Sequence, residues 1–360
     1  MKKVLSLAVA AALAAPAIAM ADSTIYGKVR VSEDKGGWEW GDDLKGLGDG
    51  DWWGTNDHAS RLGIKGSEDL GNGLSAIYQM EFGVKVGESF SSMSGRNAFV
   101  GLAGDFGTFL IGRHDTPMKI STGKLDLFGD TVGDYNNYGL ISDLRIDGAI
   151  AYVSPSFSGL TFAVANVSSP LGSEDFSDAL SGAVMYSNGP IYLSGAFETH
   201  QTSVDPNLGV SISGFLGESG ADKQFRFGAG LMDWNGFTAT LVYEKRDGVG
   251  MTDNINDGWD SDAYVLNGGF KLTPNDQIKA MYGNLSGDDA NSGANGKVDI
   301  DQWSLGYQHN LSARTDVQVV YTAASTEFKD TVVNAGGTDY AVSKGAYDED
   351  ILSFQLNHTF

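Results

Sequence analysis

The sequence LSAIYQMEF, residues 74–82, decides the fold, because its apolar side chains recur at every second position. Leu74, Ala76 and Phe82 fall on one face and Glu81 falls on the other, which is the period of a β-strand. A run of about ten residues with one apolar face is typical of a strand that crosses a membrane as part of a barrel. A strand of a soluble sandwich would look similar, so the spacing of the runs must separate the two folds.

Alternating runs of this kind recur along the whole chain. We count sixteen, at 24–32, 58–67, 73–86, 94–103, 106–113, 145–154, 159–168, 179–188, 190–200, 222–233, 236–246, 261–272, 275–286, 299–310, 313–327 and 349–360. Their connections alternate between short turns, such as 69–73, and long acidic, glycine-rich loops, such as 34–57 and 329–350. Outer-membrane barrels have an even strand number, short turns at one rim and long loops at the other. The sequence therefore predicts an all-β fold, a transmembrane 16-stranded antiparallel β-barrel.

The beginning of the chain has the order of a secretory signal: two lysines, an apolar segment at 4–18, and small residues up to Ala21. We predict a signal peptide at 1–21 and one barrel domain at 22–360. Without the two lysines, 22 of the 24 basic residues remain against 46 acidic ones, a net charge of −24. A charge of this sign argues against nucleic acid as a partner.

The sequence gives no sign of a catalytic, metal or cofactor site. Cysteine is absent, so a thiolate nucleophile or thiolate metal ligand is excluded. The histidines fall at no metal-ligand spacing; they are His58, His114, His200, His309 and His358. Neither a phosphate-binding loop nor a nucleophile-elbow motif is present. We expect no catalytic residue, no bound metal and no cofactor.

One long connection, from His114 to Leu144, carries the charges of greatest interest. It holds Asp126, Asp130 and Asp134. Strands around it carry basic residues: Arg61, Arg96, Arg113 and Arg145. Folded into a barrel against such a basic wall, the acidic loop would narrow the lumen. The same residues could form a solvated surface loop, and the loop by itself does not decide between the two.

Several motifs resemble the general diffusion porins of Gram-negative bacteria. They are SRLGIKGSEDLGNGL at 60–74, RNAFVGL at 96–102, FGTFLIGR at 106–113, YVSPSFSG at 152–159 and the terminal Phe360. The resemblance covers nearly the whole mature chain. It implies a homotrimer of sixteen-stranded barrels in the outer membrane, surrounded by lipid and lipopolysaccharide, with the third long loop folded inside each barrel. It also implies passive diffusion of ions and small hydrophilic solutes.

The same resemblance assigns roles to individual residues. It implies that the basic wall of the pore constriction consists of Arg61, Lys65, Arg96, Arg113 and Arg145. It implies that the acidic constriction loop presents Asp126, Asp130 and Asp134. The segment from Asp126 to Asp130, DLFGD, departs from the Pro-Glu-Phe-Gly-Gly sequence of enteric members, which leaves open whether Asp126 or Asp130 faces the channel. Phe360 corresponds to the terminal aromatic assembly signal.

We expect the channel to prefer cations, because the acidic loops around its mouth act against the lumenal arginines. Three other functions stay open from the sequence alone. A solute-specific porin would have the same scaffold. An outer-membrane hydrolase would need a catalytic constellation on the barrel rim, and an adhesin would use only the loops.

Overall fold

The computed structural model describes residues 22–87, 93–167, 179–201, 221–249, 259–289, 296–335 and 338–360. The predicted signal peptide at 1–21 lies outside them. The strands of the described part are β1 (Asp22–Asp42), β2 (Asp49–Asp57), β3 (Arg61–Gly71), β4 (Leu74–Gly83), β5 (Ser94–Gly104), β6 (Gly107–Asp115), β7 (Arg145–Val153), β8 (Leu160–Val167), β9 (Ala179–Asn188), β10 (Ile191–Gln201), β11 (Ala221–Trp234), β12 (Phe237–Val249), β13 (Trp259–Lys271), β14 (Asp276–Asp289), β15 (Lys297–Asn310), β16 (Thr315–Ala335) and β17 (Thr338–Thr359). A short helix, α1 (Pro117–Thr122), follows β6. Among these residues, no helix has the length and apolar character that a membrane crossing requires.

The strands form one closed antiparallel ladder, which returns to its start where β17 pairs with β1. β2 and β3 together occupy one strand position of the barrel wall, called a stave below, because both pair with β1 on the side opposite β17. The interruption between them lies at Ala59, whose φ of 59° takes the backbone out of the extended conformation. The barrel therefore has sixteen staves, and the prediction of an all-β, 16-stranded antiparallel barrel is confirmed.

The wall is apolar outside and polar inside. In β15, Gln302 and Ser304 face the lumen and are fully buried, whereas Trp303 and Leu305 are 43% and 53% exposed on the outer surface. This is the reverse of a soluble protein, and it suits an outer surface in lipid and an inner surface in water. Among the described strands, closure of the ladder leaves no open sheet edge, whose unpaired backbone groups would be unstable in hydrocarbon.

Short turns close one rim of the barrel, as the sequence predicts. Between β3 and β4, Asn72 and Gly73 have φ values of 52° and 76°. Two consecutive left-handed residues make the type I′ turn that matches the twist of a two-stranded hairpin. Asparagine and glycine are the residues that adopt this conformation most readily, so the local sequence determines this end of the barrel.

The opposite rim differs from the prediction, because two segments interpreted as long loops are largely strand. β1 continues to Asp42 and pairs there with β17, from Asp34 opposite Ser353 to Asp42 opposite Gly345. β16 and β17 likewise extend far beyond the apolar band. Backbone pairing in water needs no apolar face, and charged side chains can be solvated on both faces. Hydrophobic alternation therefore does not report these extensions.

Candidate functional site

The segment 116–144 between β6 and β7, called the inner loop below, begins with the short helix α1. Thr116 caps this helix, because its Oγ1 accepts a hydrogen bond from the backbone nitrogen of Lys119 at 3.2 Å. Pro117 occupies the first helical position, where a missing N–H costs nothing. These two residues fix the direction in which the chain leaves the wall after β6.

The inner loop has an apolar back that packs on the inside of the barrel. Leu125, Phe128 and Leu140 have no exposed surface, and they contact inward-facing side chains of the wall such as Val265 and Leu285. Burial of each such side chain contributes about 2 kcal/mol. The loop therefore lies against the inner wall and occupies part of the lumen.

Polar side chains of the wall satisfy the backbone of the inner loop. Lys279 Nζ donates to the carbonyl oxygen of Leu127 at 2.8 Å. On the next strand, Gln302 Nε2 donates to the carbonyl oxygen of Gly133 at 3.2 Å. An irregular segment at this depth needs such partners, because it has no ladder of its own. These contacts hold the inner loop against β14 and β15.

The tip of the inner loop meets the basic wall at Asp130. Its carboxylate oxygen Oδ2 lies 3.3 Å from Arg61 Nη1 and 3.4 Å from Arg30 Nη1. Arg30 Nη1 also donates to the carbonyl oxygens of Gly129 and Asp130, at 2.7 and 2.6 Å. Arg30 is missing from the predicted wall. Its position on the polar face of the first alternating run is the signal that could have found it.

Asp126 and Asp134 have a different environment from Asp130. Asp126 Oδ1 accepts a hydrogen bond from the backbone nitrogen of Phe128 at 2.7 Å, and Asp134 Oδ2 accepts one from that of Asp130 at 2.8 Å. Burial inside the barrel raises the pKa of Asp126 well above its usual value, and the charge of Asp134 adds to this shift. Burial likewise raises the pKa of Asp134.

Two predicted basic residues, Arg96 and Arg145, face the lumen and have carboxylate partners. Arg96 Nε lies 2.5 Å from Glu81 Oε1. A β-bulge in β5 opposite Met80 and Phe82 turns Arg96 to the same side as Glu81. Arg145 Nη2 lies 2.9 Å from an oxygen of Asp115. The charge of this wall is thus largely compensated by neighbouring carboxylates.

The other two predicted wall residues, Arg113 and Lys65, do not line the constriction. Arg113 pairs with Asp147, with 2.8 Å between Nη1 and the carboxylate, at an irregularity in the pairing of β6 with β7 between Gly112 and His114. Lys65 points into the lumen nearer the short-turn rim, with Nζ 5.0 Å from the centre of the Tyr26 ring. Neither residue is among the side chains that line the cavity between the wall and the inner loop. A register decided by a bulge or a turn cannot be read from alternation alone.

A cavity of about 480 Å³ separates the basic wall from the acidic loop. Arg61, Arg96 and Arg145 line it together with Asp126, Asp130 and Asp134. Four basic and three acidic side chains outside the predicted set also line it: Lys28, Arg30, Lys119, Lys279, Asp115, Asp143 and Asp316. Seven basic and six acidic residues therefore line the cavity, so its formal charge is close to zero.

Phe360 closes the seam of the barrel at the short-turn rim. Its backbone nitrogen donates to the carbonyl oxygen of Gly27 at 3.0 Å, and the nitrogen of Gly27 donates back at 3.0 Å. The ring packs over Gly27, where an added Cβ would overlap it. The terminal residue thus belongs to the ladder between the first and last strands.

In the described ranges, no group of three or more histidine, aspartate or glutamate side chains is arranged to hold a metal ion. His309 instead pairs with Asp276 at the short-turn rim, with 2.7 Å between Nδ1 and the carboxylate. His114 Nδ1 donates a hydrogen bond to the backbone carbonyl oxygen of Asp115, at 2.8 Å. These histidines have structural contacts that need no metal.

Comparison with known proteins gives a family match over most of the chain. A model described as Gram-negative porin matches residues 6–330. The major outer membrane protein P.IB of Neisseria meningitidis serogroup B is 32% identical over 216 residues, which cover 58% of this chain and 63% of that protein. Outer membrane porin protein 32 of Delftia acidovorans is 29% identical, over 88% of this chain and 87% of the relative. The chain thus spans less than two thirds of the Neisseria relative.

Solved structures give the same fold. The anion-selective porin from Comamonas acidovorans superposes with a TM-score of 0.69 over 94% of this chain and all of that one, at 20% identity. The trimer form of OmpT from Vibrio cholerae gives a TM-score of 0.62 over 94% of this chain and 99% of that one, at 17% identity. At such low identity these similarities support the fold alone.

Proposed function

Since this chain belongs to the family of Gram-negative porins, we propose that it forms a passive diffusion channel for ions and small hydrophilic solutes. Its location is the outer membrane, as for the major outer membrane proteins among its relatives. Porins are channels without catalytic turnover, which removes the hydrolase alternative. No cofactor is needed for such a function.

One observation carries the proposal: basic and acidic side chains face each other across a single cavity inside a closed barrel. Arg61 and Arg96 lie on one side of it, and Asp126 and Asp134 lie on the other. Opposite charges on facing walls produce a field across the channel that orders water. An apolar solute would have to disrupt this water, whereas a small polar solute can replace part of it. Size and polarity together therefore select the solutes.

We also propose a preference for cations, because the constriction is nearly electroneutral and the mouth is acidic. The extended strands of the mouth expose Glu39, Asp51 and Asp350. Surface charge acts over a Debye length of about 8 Å at physiological salt. The mouth should therefore concentrate cations before they reach the constriction. Molar salt shortens this length to about 3 Å and should weaken the preference.

The proposed assembly is a homotrimer surrounded by outer-membrane lipid and lipopolysaccharide. One similar structure, OmpT of Vibrio cholerae, is described as a trimer. The outer surface of the barrel carries exposed apolar side chains such as Phe227 and Leu305, which suit contact with lipid or with another subunit. Cross-linking in native membranes, followed by electrophoresis with and without heating, would show the trimer. A monomer under every condition would contradict it.

The alternative within transport is a solute-specific porin, and the sign of the selectivity is a separate question. The similar structure from Comamonas acidovorans is an anion-selective porin. Planar-bilayer recordings answer both questions. A general channel should pass neutral sugars at rates that fall smoothly with size, and its zero-current potential in a potassium chloride gradient should have the cation-selective sign. Saturable passage of one sugar, or no conductance at all, would overturn the general-diffusion proposal.

A further inference from the structure

A buried charge cluster on the wall opposite Arg30 holds the inner loop. It consists of Arg226 on β11 and of Glu244 and Arg246 on β12, and we call it the anchor cluster. Arg226 and Glu244 have no exposed surface, and Arg246 is 2% exposed. Glu244 joins the two arginines, at 2.5 Å from Arg226 Nη2 and 2.6 Å from Arg246 Nε. Buried charges are stable only when paired and fully hydrogen-bonded.

The inner loop has two arms: the first leaves the wall after β6, and the second returns to the wall at β7. Arg226 binds both arms at once. In the first arm, its Nη1 donates to Thr122 Oγ1 at 2.9 Å. In the second arm, Nη1 lies 2.7 Å from Asp143 Oδ1, and Nη2 donates to the carbonyl oxygen of Ser142. A planar guanidinium with five donors can hold several acceptors in a fixed geometry. One side chain thus fixes the distance between the two arms.

Arg246 and Glu244 satisfy the backbone of the second arm. Arg246 Nη2 donates to the carbonyl oxygens of Gly139 and Leu140, at 3.0 and 2.9 Å. Glu244 Oε1 accepts a hydrogen bond from the backbone nitrogen of Ser142 at 3.0 Å. Without the anchor cluster these backbone groups would lose their partners in a poorly solvated space.

We propose that the anchor cluster positions the inner loop and thereby sets the width of the constriction. The proposal rests on the proposed channel function. Arg30 holds the loop tip on one side of the lumen, while Arg226 and Arg246 hold its arms on the other. The loop is therefore suspended between two walls. Loosening the arms leaves the tip attached and lets the carboxylate edge move, so that the size of the opening fluctuates.

The test compares Asp143→Asn with Asp147→Asn. The first substitution keeps the shape of the side chain and removes the ion pair between the loop and Arg226, while the pairs within the wall stay intact. The second makes the same change of charge at a residue that is 59% exposed and pairs with Arg113 outside the cavity. Arg246→Gln and Arg113→Gln form a second matched pair. All four are compared as trimers of the full chain purified from outer membranes.

The readout is the swelling rate of liposomes in neutral sugars of graded size, because neutral solutes do not respond to a change of charge alone. We expect Asp143→Asn and Arg246→Gln to change the ratio of disaccharide to monosaccharide rates at least twofold and to increase brief closures in single-channel records. Both controls should match the wild type. If Arg246→Gln does not assemble, Asp143→Asn decides. If the wild type conducts and Asp143→Asn has the same ratio of disaccharide to monosaccharide rates as Asp147→Asn, the inference is overturned. If the wild type itself does not conduct, the proposed channel function is overturned instead.

Discussion

Replacing Asp130 by asparagine should lower the cation-to-anion permeability ratio about fourfold at physiological salt. Asparagine has the same size and tolerates the positive φ of 56° at this position. Arg30 keeps its hydrogen bonds to the carbonyl oxygens of residues 129 and 130, so the loop tip stays in place. The substitution therefore removes one negative charge from the constriction and leaves the charge of Arg61 uncompensated.

The magnitude follows from the size of the cavity. A volume of about 480 Å³ corresponds to a sphere of about 5 Å radius, which is the distance from a central ion to a lining carboxylate. In water, a unit charge at about 5 Å contributes about 0.8 kcal/mol, and screening over about 8 Å reduces this to about 0.4 kcal/mol. The occupancy of cations then falls about twofold and that of anions rises about twofold, and the two factors multiply in the permeability ratio.

Zero-current potentials across a potassium chloride gradient measure this ratio directly. Asp288→Asn is the matched control, because Asp288 pairs with Lys297 at 3.0 Å near the mouth. It lies on β14 far from Lys279, which lines the cavity, at about 30 Å along the strand. We expect almost no shift from the control. Equal shifts from both substitutions, or a shift toward cations in Asp130→Asn, would refute the reasoning.

Three further results are expected. Acidification from pH 7 to pH 5 should lower the cation preference, because the raised pKa of Asp126 makes this carboxyl group take up a proton at a higher pH than ordinary carboxyl groups do. The reversal potential of Asp126→Asn should therefore depend less on pH, and a pH dependence equal to that of the wild type would contradict the role of Asp126. Gly63→Ala should destabilise the barrel by about 1–3 kcal/mol, because the new Cβ would overlap the Tyr26 ring. Gly268→Ala is the control, since its Cβ would enter open space. Thermal denaturation of the two variants at the same temperature would contradict the prediction. Deletion of Phe360 should lower the amount assembled in outer membranes without changing the conductance of the assembled fraction, and normal assembly on membrane fractionation would disprove it.

The sequence could predict the barrel because its main constraints are local. Every stave needs an apolar outer face, and every short turn needs residues that accept positive φ, as at Asn72 and Gly73. Both requirements appear directly in the order of residues. Tertiary contacts were needed for the extensions of β1 and β17 beyond the apolar band, since pairing in water leaves no such pattern.

Individual lumenal residues were less predictable, because a change in register turns a side chain to the other face of the wall. A bulge in β5 turns Arg96 to the same side as Glu81, and Arg113 lies at an irregularity in the pairing of β6 with β7, where it contacts Asp147. The resemblance had assigned both to the same wall. The arginines that hold the loop, Arg30 and Arg226, were not selected, although each lies at a polar position of an alternating run.

The sequence by itself determined the class of the protein: an acidic chain whose alternating strands can satisfy their backbone in hydrocarbon only as a closed barrel. The long acidic loop by itself did not decide between the inside and the outside of the barrel; the resemblance implied the inside, and the loop packs against the inner wall. It also brings Asp130, rather than Asp126, to the basic wall. The physical reason is that the partners of the loop come from β1 and from β11 to β17, which are remote in sequence and meet only when the barrel closes.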